Sequence, residues 1–161
     1  MVLDGRLRRG VHGAAGEIGH VPVEPAGEVC QCGQRGCLET LASGSALDAA
    51  WPRGGARTAE SLFAAAAGGA PDAVAVRDRF AGAVASAVRL LVLTVDVEVV
   101  VLGGGVAAVG EPLRLAVADA LRKQAADSSF LASLRLADRL RVVAQDRPVA
   151  AVGAALLGRP S

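Results

Sequence analysis

The chain has 161 residues, of which 17 are basic and 16 acidic, for a formal net charge of +1. Its apolar fraction of 52% includes only three Phe, one Trp and no Tyr. A near-neutral, aromatic-poor chain lacks the basic patches and stacking platforms of nucleic-acid binders, so this segment is expected to bind no nucleic acid by itself. The longest apolar run, 81–101, is interrupted by Arg89, Asp96 and Glu98, so we expect no membrane-spanning segment.

The apolar content comes mostly from Ala, Val and Leu, a composition that favours a helix-rich α/β layer structure. At the start, Asp4-Gly5 between two short apolar segments, 1–3 and 7–9, predicts a β-hairpin. Pro22 restricts a predicted strand at 21–23 to a sheet edge. The further predicted elements, in chain order, are helices at 38–51, 59–67 and 72–93, a strand within 98–107 that stops at the three glycines, a helix at 112–127, a strand at 140–144 and a helix at 149–157, which Gly158 and Pro160 end.

One histidine and all three cysteines of the chain fall within one short segment. Together they offer an imidazole and three thiolates, a complete tetrahedral ligand set for Zn²⁺. The ligand candidates are His20, Cys30, Cys32 and Cys37. Gly33 and Gly36 allow the backbone between the last ligands to double back. Four protein ligands leave no coordination position for water, so such a zinc ion is expected to be structural; the alternative is three reduced cysteines near a surface histidine.

Two carboxylates flank this segment, Glu17 three residues before His20 and Glu39 two residues after Cys37. Closing a metal loop would bring them toward one place, where acceptor-only carboxylates suit the hydroxyl groups of a sugar. The spacing equally allows two solvated loop charges. His12, among glycines and without a neighbouring carboxylate, is expected to be a surface residue.

A strand that runs into three glycines, Gly103 to Gly105, is the second candidate site. Such a turn lets the backbone approach a flat or anionic ligand at the carboxyl edge of a sheet. The segment lacks a P-loop lysine and the G-x-G-x-x-G spacing, so neither a Walker nor a Rossmann site is predicted. A simple tight turn remains the alternative.

The motifs GEIGH, CQCGQRGCLET and LASGSAL resemble the signature of the ROK family of bacterial sugar kinases and sugar-responsive transcriptional repressors. Downstream, VVVLGGGVA resembles the adenosine motif of actin-like ATPases, and PVAAVGAALL resembles the closing helix of the family. The resemblance implies an α/β fold, the C-terminal lobe of an actin-like ATPase (ribonuclease H-like) with an inserted zinc-binding loop. Residues 1–161 would form this single lobe, without the N-terminal lobe, and 16–39 its zinc- and sugar-binding segment.

Roles for individual residues also follow from the resemblance. It implies zinc on His20, Cys30, Cys32 and Cys37, sugar hydroxyls on Glu17, His20 and Glu39, and adenosine beside Gly103, Gly104 and Gly105. The implied reaction transfers the γ-phosphoryl group of Mg·ATP to a sugar hydroxyl, largely by positioning and charge neutralisation. The resemblance further suggests a homo-oligomer, and the clustered cysteines favour a reducing cytoplasm.

The 161 residues contain neither the D-x-G-x-T phosphate loop nor the catalytic aspartate of such kinases. No catalytic residue is therefore assigned, and ATP and Mg²⁺ are expected only in a full-length kinase. Two functions stay open: the C-terminal part of a glucokinase-like enzyme acting on a hexose or amino sugar, inactive alone, or the effector-binding lobe of a repressor without its DNA-binding domain. A third possibility is a non-functional remnant, held together by zinc and its hydrophobic core.

Overall fold

The computed structural model describes residues 2–3, 6–143 and 149–157 and has a mixed α/β architecture. None of the helices in these ranges is both long and apolar enough to cross a lipid bilayer. The elements in chain order are β1 (Val2–Leu3), β2 (Arg6–Leu7), α1 (Glu39–Ala42), α2 (Gly44–Ala50), α3 (Thr58–Ala67), α4 (Pro71–Val95), β3 (Val100–Leu102), α5 (Glu111–Ala125), α6 (Ser129–Ser133), β4 (Leu140–Val142) and α7 (Val149–Leu157). Short 3₁₀ turns occupy Ile18–His20, Pro52–Arg57, Gly105–Val109 and Leu136–Arg139.

The first hairpin is present, with β1 and β2 antiparallel and Val2 opposite Leu7. The predicted turn residues Asp4 and Gly5 lie outside the described residues. The predicted strand at 21–23 is wrong, because only a single bridge joins Pro22 to Cys37. Beyond that bridge the amides of residues 23 and 24 both donate to the Gly36 carbonyl, at 2.8 and 3.2 Å, so the chain turns instead of extending a ladder.

The predicted helix at 38–51 is divided into α1 and α2 by Ser43. This residue has an extended backbone (φ −97°, ψ 165°), which ends α1. Its hydroxyl oxygen accepts a hydrogen bond from the Ala46 amide at 3.0 Å and so caps the first turn of α2. Serine is favoured at this capping position because its side chain replaces a missing backbone partner. The break lets the chain change direction directly after the cysteine-rich segment.

The core is built around α4, which packs against α3 on one side and α5 on the other. Pro71 stands at its first turn, where a missing amide hydrogen costs nothing, and Asp96 ends it in the left-handed conformation (φ 50°). The buried side chains of the three helices include Leu62, Phe63, Phe80, Val88, Val92, Val117 and Leu121. The predicted helices at 59–67, 72–93 and 112–127 are confirmed within two residues at each end.

A two-stranded parallel sheet lies against this helical core. Val100 pairs with Leu140, and both side chains are buried. On the opposite face of β3, Val101 is 56% exposed. The strand predicted within 98–107 is β3, which begins at Val100 and ends directly before the three glycines, as predicted. The strand predicted at 140–144 ends at Val142, with Ala144 outside the described residues. α7 has its predicted bounds, whereas its predicted stop signals, Gly158 and Pro160, also fall outside them.

Candidate functional site

The structure brings His20, Cys30, Cys32 and Cys37 into one cluster. Their ligand atoms all lie within 4.8 Å of one another. The Sγ atoms of Cys32 and Cys37 are 3.6 Å apart, and Cys30 Sγ is 3.7 Å from His20 Nδ1. A tetrahedral zinc ion with bonds of about 2.3 Å to sulfur and about 2.0 Å to nitrogen places its ligand atoms about 3.5–3.8 Å apart. The donor set and these two separations both fit zinc.

Backbone hydrogen bonds hold the cysteine-rich loop in this shape. The Cys30 amide donates to the Gln34 carbonyl at 2.8 Å, and the Gly33 amide donates to the Cys30 carbonyl at 2.9 Å. Gly33 sits between these groups with φ +88°, a conformation that side chains rarely adopt. The resulting tight turn points the thiols of Cys30 and Cys32 toward the same centre.

The loop has two arms, one around Glu24 and one around Gly36, and they cross at Gly36. Its φ is +72°, and a Cβ atom built there would stand 1.7 Å from the carbonyl oxygen of Glu24. The Glu24 carboxylate in turn accepts a 2.8 Å hydrogen bond from Arg79 on α4. The crossing is thus fixed by close backbone contact and tethered to the longest helix of the core.

The three thiols differ in their surroundings. Cys37 and Cys30 are buried, whereas Cys32 is exposed. Burial raises the pKa of the Cys37 thiol to about 12. A hydrogen bond from the backbone amide of Gln34 lowers the pKa of the Cys32 thiol to about 7. A coordinated thiol is deprotonated by its metal ion, so these pKa values belong to the metal-free cluster.

Of the three residues expected to face a sugar, His20 and Glu39 are in contact. A Glu39 carboxylate oxygen, Oε2, lies 3.5 Å from His20 Nδ1, at the first turn of α1. About half of the Glu39 side chain is exposed, so oxygen lone pairs remain open to a ligand. Glu17 opens the 3₁₀ turn that ends at His20 and is exposed, without an ion pair within the described ranges. It belongs to the same turn as His20 and makes no hydrogen bond or ion pair with Glu39 among the described residues.

The glycine turn after β3 is sterically open. Gly104 has φ +86°, and a Cβ atom at Gly104 or Gly105 would meet no atom within 4 Å. A cavity of about 400 Å³ adjoins the turn, lined by Gly103, Gly105 and apolar side chains of α4. Gly44, which begins α2, lines the same cavity. A Cβ atom built at Gly44 would stand 3.9 Å from the Val106 side chain. A ligand can therefore approach the backbone of this turn closely.

Two supporting residues escape sequence reasoning. Gln34 Nε2 contacts the Cys32 sulfur at 3.7 Å, and Thr40 donates its hydroxyl hydrogen to the Cys37 carbonyl at 2.7 Å. The sequence did contain a signal for Thr40. It lies on the predicted helix three residues beyond the last cysteine, and the hydroxyl group of a helical threonine commonly donates to a carbonyl of the preceding turn. Nothing in the sequence links Arg79 to Glu24, 55 residues away.

His12 is exposed, as predicted. The sequence model of the ROK family matches residues 1–159 of the chain. The chain belongs to the ROK family. It is 42% identical over 107 residues to an N-acetylmannosamine kinase of Citrobacter koseri, covering 66% of this chain and 37% of that protein. It is 37% identical over 139 residues to a glucokinase of Thermotoga maritima, covering 74% and 44%.

Solved structures of ROK proteins share the fold. A ROK hexokinase from Thermus thermophilus superposes with a TM-score of 0.75 at 36% identity, over 96% of this chain and 51% of its own. A ROK glucokinase from Streptomyces griseus, in complex with glucose and AMPPNP, gives 0.63 at 27% identity, over 85% and 55%. A ROK transcriptional regulator, a homologue of the E. coli MLC protein, gives 0.64 at 29% identity, over 88% and 37%. This chain spans about half or less of the relatives that it matches.

Proposed function

We propose that this ROK chain is the C-terminal lobe, residues 1–161, of an actin-like sugar kinase of the cytoplasm, with 16–39 as a zinc- and sugar-binding segment. The reaction of the complete enzyme is transfer of the γ-phosphoryl group of ATP to a hydroxyl of a hexose or amino sugar. The observation that carries the proposal is the 3.5 Å contact between His20, a member of the metal cluster, and the partly exposed Glu39 carboxylate.

Zinc would be held by His20, Cys30, Cys32 and Cys37, whose donor types and separations suit it. With four protein ligands it supplies no reactive water and serves to fix the loop. The His20 ring then has a fixed orientation, with Nδ1 toward Cys30 and its other nitrogen available for a hydroxyl group. Glu39 accepts a second hydroxyl hydrogen, and Glu17, from the same turn as His20, accepts a third.

We assign no catalytic residue to these 161 residues. The relatives are about two to three times as long as the part that this chain matches, and phosphoryl transfer is proposed to need groups from the rest of that fold. ATP and Mg²⁺ act only there, with Gly103, Gly104 and Gly105 facing the adenosine. Self-association, suggested by the family, belongs to the same proposal.

Sugar binding by the zinc-loaded chain tests the role of Glu39. We expect isothermal titration to detect N-acetylmannosamine or glucose, and Glu39→Gln to weaken that binding by about tenfold or more, because a charge-assisted hydrogen bond is lost. Glu28→Gln is the matched control, since Glu28 is exposed on the same loop and makes no described contact with His20. Equal weakening by both substitutions, or none by Glu39→Gln, would contradict this sugar site.

A second candidate, the effector-binding lobe of a sugar-responsive regulator, is favoured by the similarity to the ROK transcriptional regulator. This function needs sugar binding but no nucleotide. The open backbone at the glycine turn favours the kinase, because it leaves room for a flat ligand where any side chain would intrude.

Nucleotide binding separates the two functions. For a full-length kinase that contains this lobe we expect AMPPNP to bind, and Gly105→Val to weaken its binding by about tenfold or more while thermal stability stays nearly unchanged, because a Cβ atom at Gly105 meets no protein atom within 4 Å. Gly82→Ala on α4, equally open, is the control and should leave binding unaltered. A full-length protein that binds sugar and fails to bind AMPPNP would support the regulator instead.

A further inference from the structure

The metal cluster has one thiol that faces solvent. Cys32 is exposed, whereas Cys30 and Cys37 are only 5% and 0% exposed. Oxidation of a cysteine depends on access to its sulfur, so a small oxidant dissolved in water reaches Cys32 before either of the other two. Coordination to zinc slows such a reaction but does not prevent it, because a coordinated sulfur keeps lone pairs that do not point at the metal.

A second sulfur lies beside this exposed thiol. The Sγ atom of Cys37 is 3.6 Å from that of Cys32, and only residues 33–36 separate the two cysteines in the chain. Two of those residues are glycines with positive φ, so the backbone already doubles back between the two sulfurs. The third sulfur, that of Cys30, instead contacts His20 Nδ1 at 3.7 Å. The geometry therefore makes Cys37 the disulfide partner of Cys32.

We propose that Cys32 is a modification site, at which hydrogen peroxide oxidises the cluster to a Cys32–Cys37 disulfide and zinc is released. The Cys32 thiolate attacks one peroxide oxygen, the O–O bond breaks and hydroxide leaves, so that Cys32 becomes a sulfenic acid. The Cys37 thiolate then attacks the Cys32 sulfur, the S–O bond breaks, and a second hydroxide leaves as the S–S bond forms. The two sulfurs together lose two electrons, which reduce the peroxide.

This modification rests on the zinc site of the proposed function, because it acts by removing two zinc ligands. After oxidation only His20 and Cys30 remain, two of the four donors that a structural zinc site uses. Reduction of the disulfide by a thiol restores all four donors. The nearby Cys37 thus makes the oxidation reversible, whereas an exposed cysteine without such a partner continues to sulfinic and sulfonic acids.

The oxidised pair adjoins the residues proposed to bind sugar. Cys37 lies just before α1, which begins at Glu39, and the Thr40 hydroxyl donates to the Cys37 carbonyl at 2.7 Å. Loss of zinc also frees the ring of His20, whose Nδ1 lies 3.5 Å from the Glu39 carboxylate. Oxidation is therefore expected to weaken sugar binding although Glu39 itself is unchanged, and isothermal titration of the oxidised chain measures that loss.

Peroxide treatment of the zinc-loaded 161-residue chain tests the modification. We expect hydrogen peroxide to release about one equivalent of zinc, detected with a chromogenic chelator, and dithiothreitol with added zinc to restore the original zinc content. Mass spectrometry of an unreduced digest should show Cys32 linked to Cys37 and leave Cys30 free to be alkylated. Dimedone, which traps sulfenic acids, should label Cys32 when it is added together with the peroxide.

Exchange of one ligand for another supplies matched variants. Cys32→His keeps four zinc donors and removes the exposed thiol, so peroxide should release its zinc at least about tenfold more slowly than from the wild type. Cys30→His also keeps four donors but preserves the Cys32–Cys37 pair, so its zinc should be released at close to the wild-type rate. If either variant fails to bind zinc, the disulfide and the dimedone label of the wild type decide the question.

The outcomes separate the modification from the zinc site on which it rests. A chain that binds no zinc would contradict the zinc site and the modification together. Bound zinc that peroxide fails to release would overturn the modification alone. So would a disulfide between Cys30 and Cys37, or a dimedone label confined to those two residues, because Cys32 would then not be the point of attack.

Discussion

Replacing Cys37 with serine is expected to abolish zinc binding and to unfold the loop that carries the proposed sugar site. Cys37 is completely buried and its sulfur lies 3.6 Å from that of Cys32, at the centre of the cluster. A hydroxyl is a poor zinc ligand, and removal of a structural zinc removes folding free energy directly. Bound zinc should fall from about one equivalent to less than about 0.1, with a loss of stability on the order of several kcal/mol. Metal analysis and urea unfolding measure the two quantities.

Cys32→Ser separates the effect of losing zinc from the effect of placing a hydroxyl group in a buried position. Cys32 is exposed, so its serine variant should lose zinc equally yet match the stability of the chelator-treated wild type. Cys37→Ser should be less stable than that metal-free reference, because it also buries a hydroxyl group. Retention of one equivalent of zinc by either variant would show that the ligand set is wrong.

Gly36→Ala is expected to have the second largest effect, a loss of more than about 3 kcal/mol of unfolding free energy. The left-handed backbone (φ +72°) disfavours any side chain, and the new Cβ would stand 1.7 Å from the Glu24 carbonyl oxygen. Because that atom is backbone and Glu24 is tethered to Arg79, the clash can be relieved only by separating the two arms of the loop. Zinc affinity should fall together with stability.

Gly33→Ala is the matched control for this steric argument. Its φ of +88° imposes a similar backbone penalty, but the added Cβ meets no atom within 4 Å. We expect a loss of only about 1–2 kcal/mol, measured by urea unfolding in excess zinc. If the two alanine variants were equally unstable, the crossing at Gly36 would have no special role.

The metal cluster is the part of the site that sequence predicts best. The residue types of His20 and the three cysteines, close together in sequence, are enough to predict a metal site, since few arrangements of one imidazole and three nearby thiols do anything but bind a metal. The helices of the core are predictable for a related reason: their apolar periodicity and their Pro and Gly boundaries are local. Both kinds of signal need no knowledge of distant residues.

Features that the apolar pattern of the sequence does not carry could not be predicted. The apolar pattern runs through Ser43 without interruption, so the helix break depends on its capping hydrogen bond to Ala46. The segment at 21–23 has strand-like residues, but the one bridge recorded for it in the described residues, Pro22 to Cys37, is followed by a turn at Gly36. Likewise, Phe63, Phe80 and Phe130 all lie on helices, and the packing of these helices buries the first two and leaves Phe130 exposed.

The confinement of all three cysteines to the metal cluster has a practical consequence. Outside the cluster the chain contains no sulfhydryl group, so the reaction of the native protein with a thiol reagent reports on this one site alone. Titrating the reactive sulfhydryls before and after chelation would count the protected cysteines directly. A cysteine introduced elsewhere would then be the sole freely reactive position on the metal-loaded molecule, ready to accept a single fluorophore or spin label.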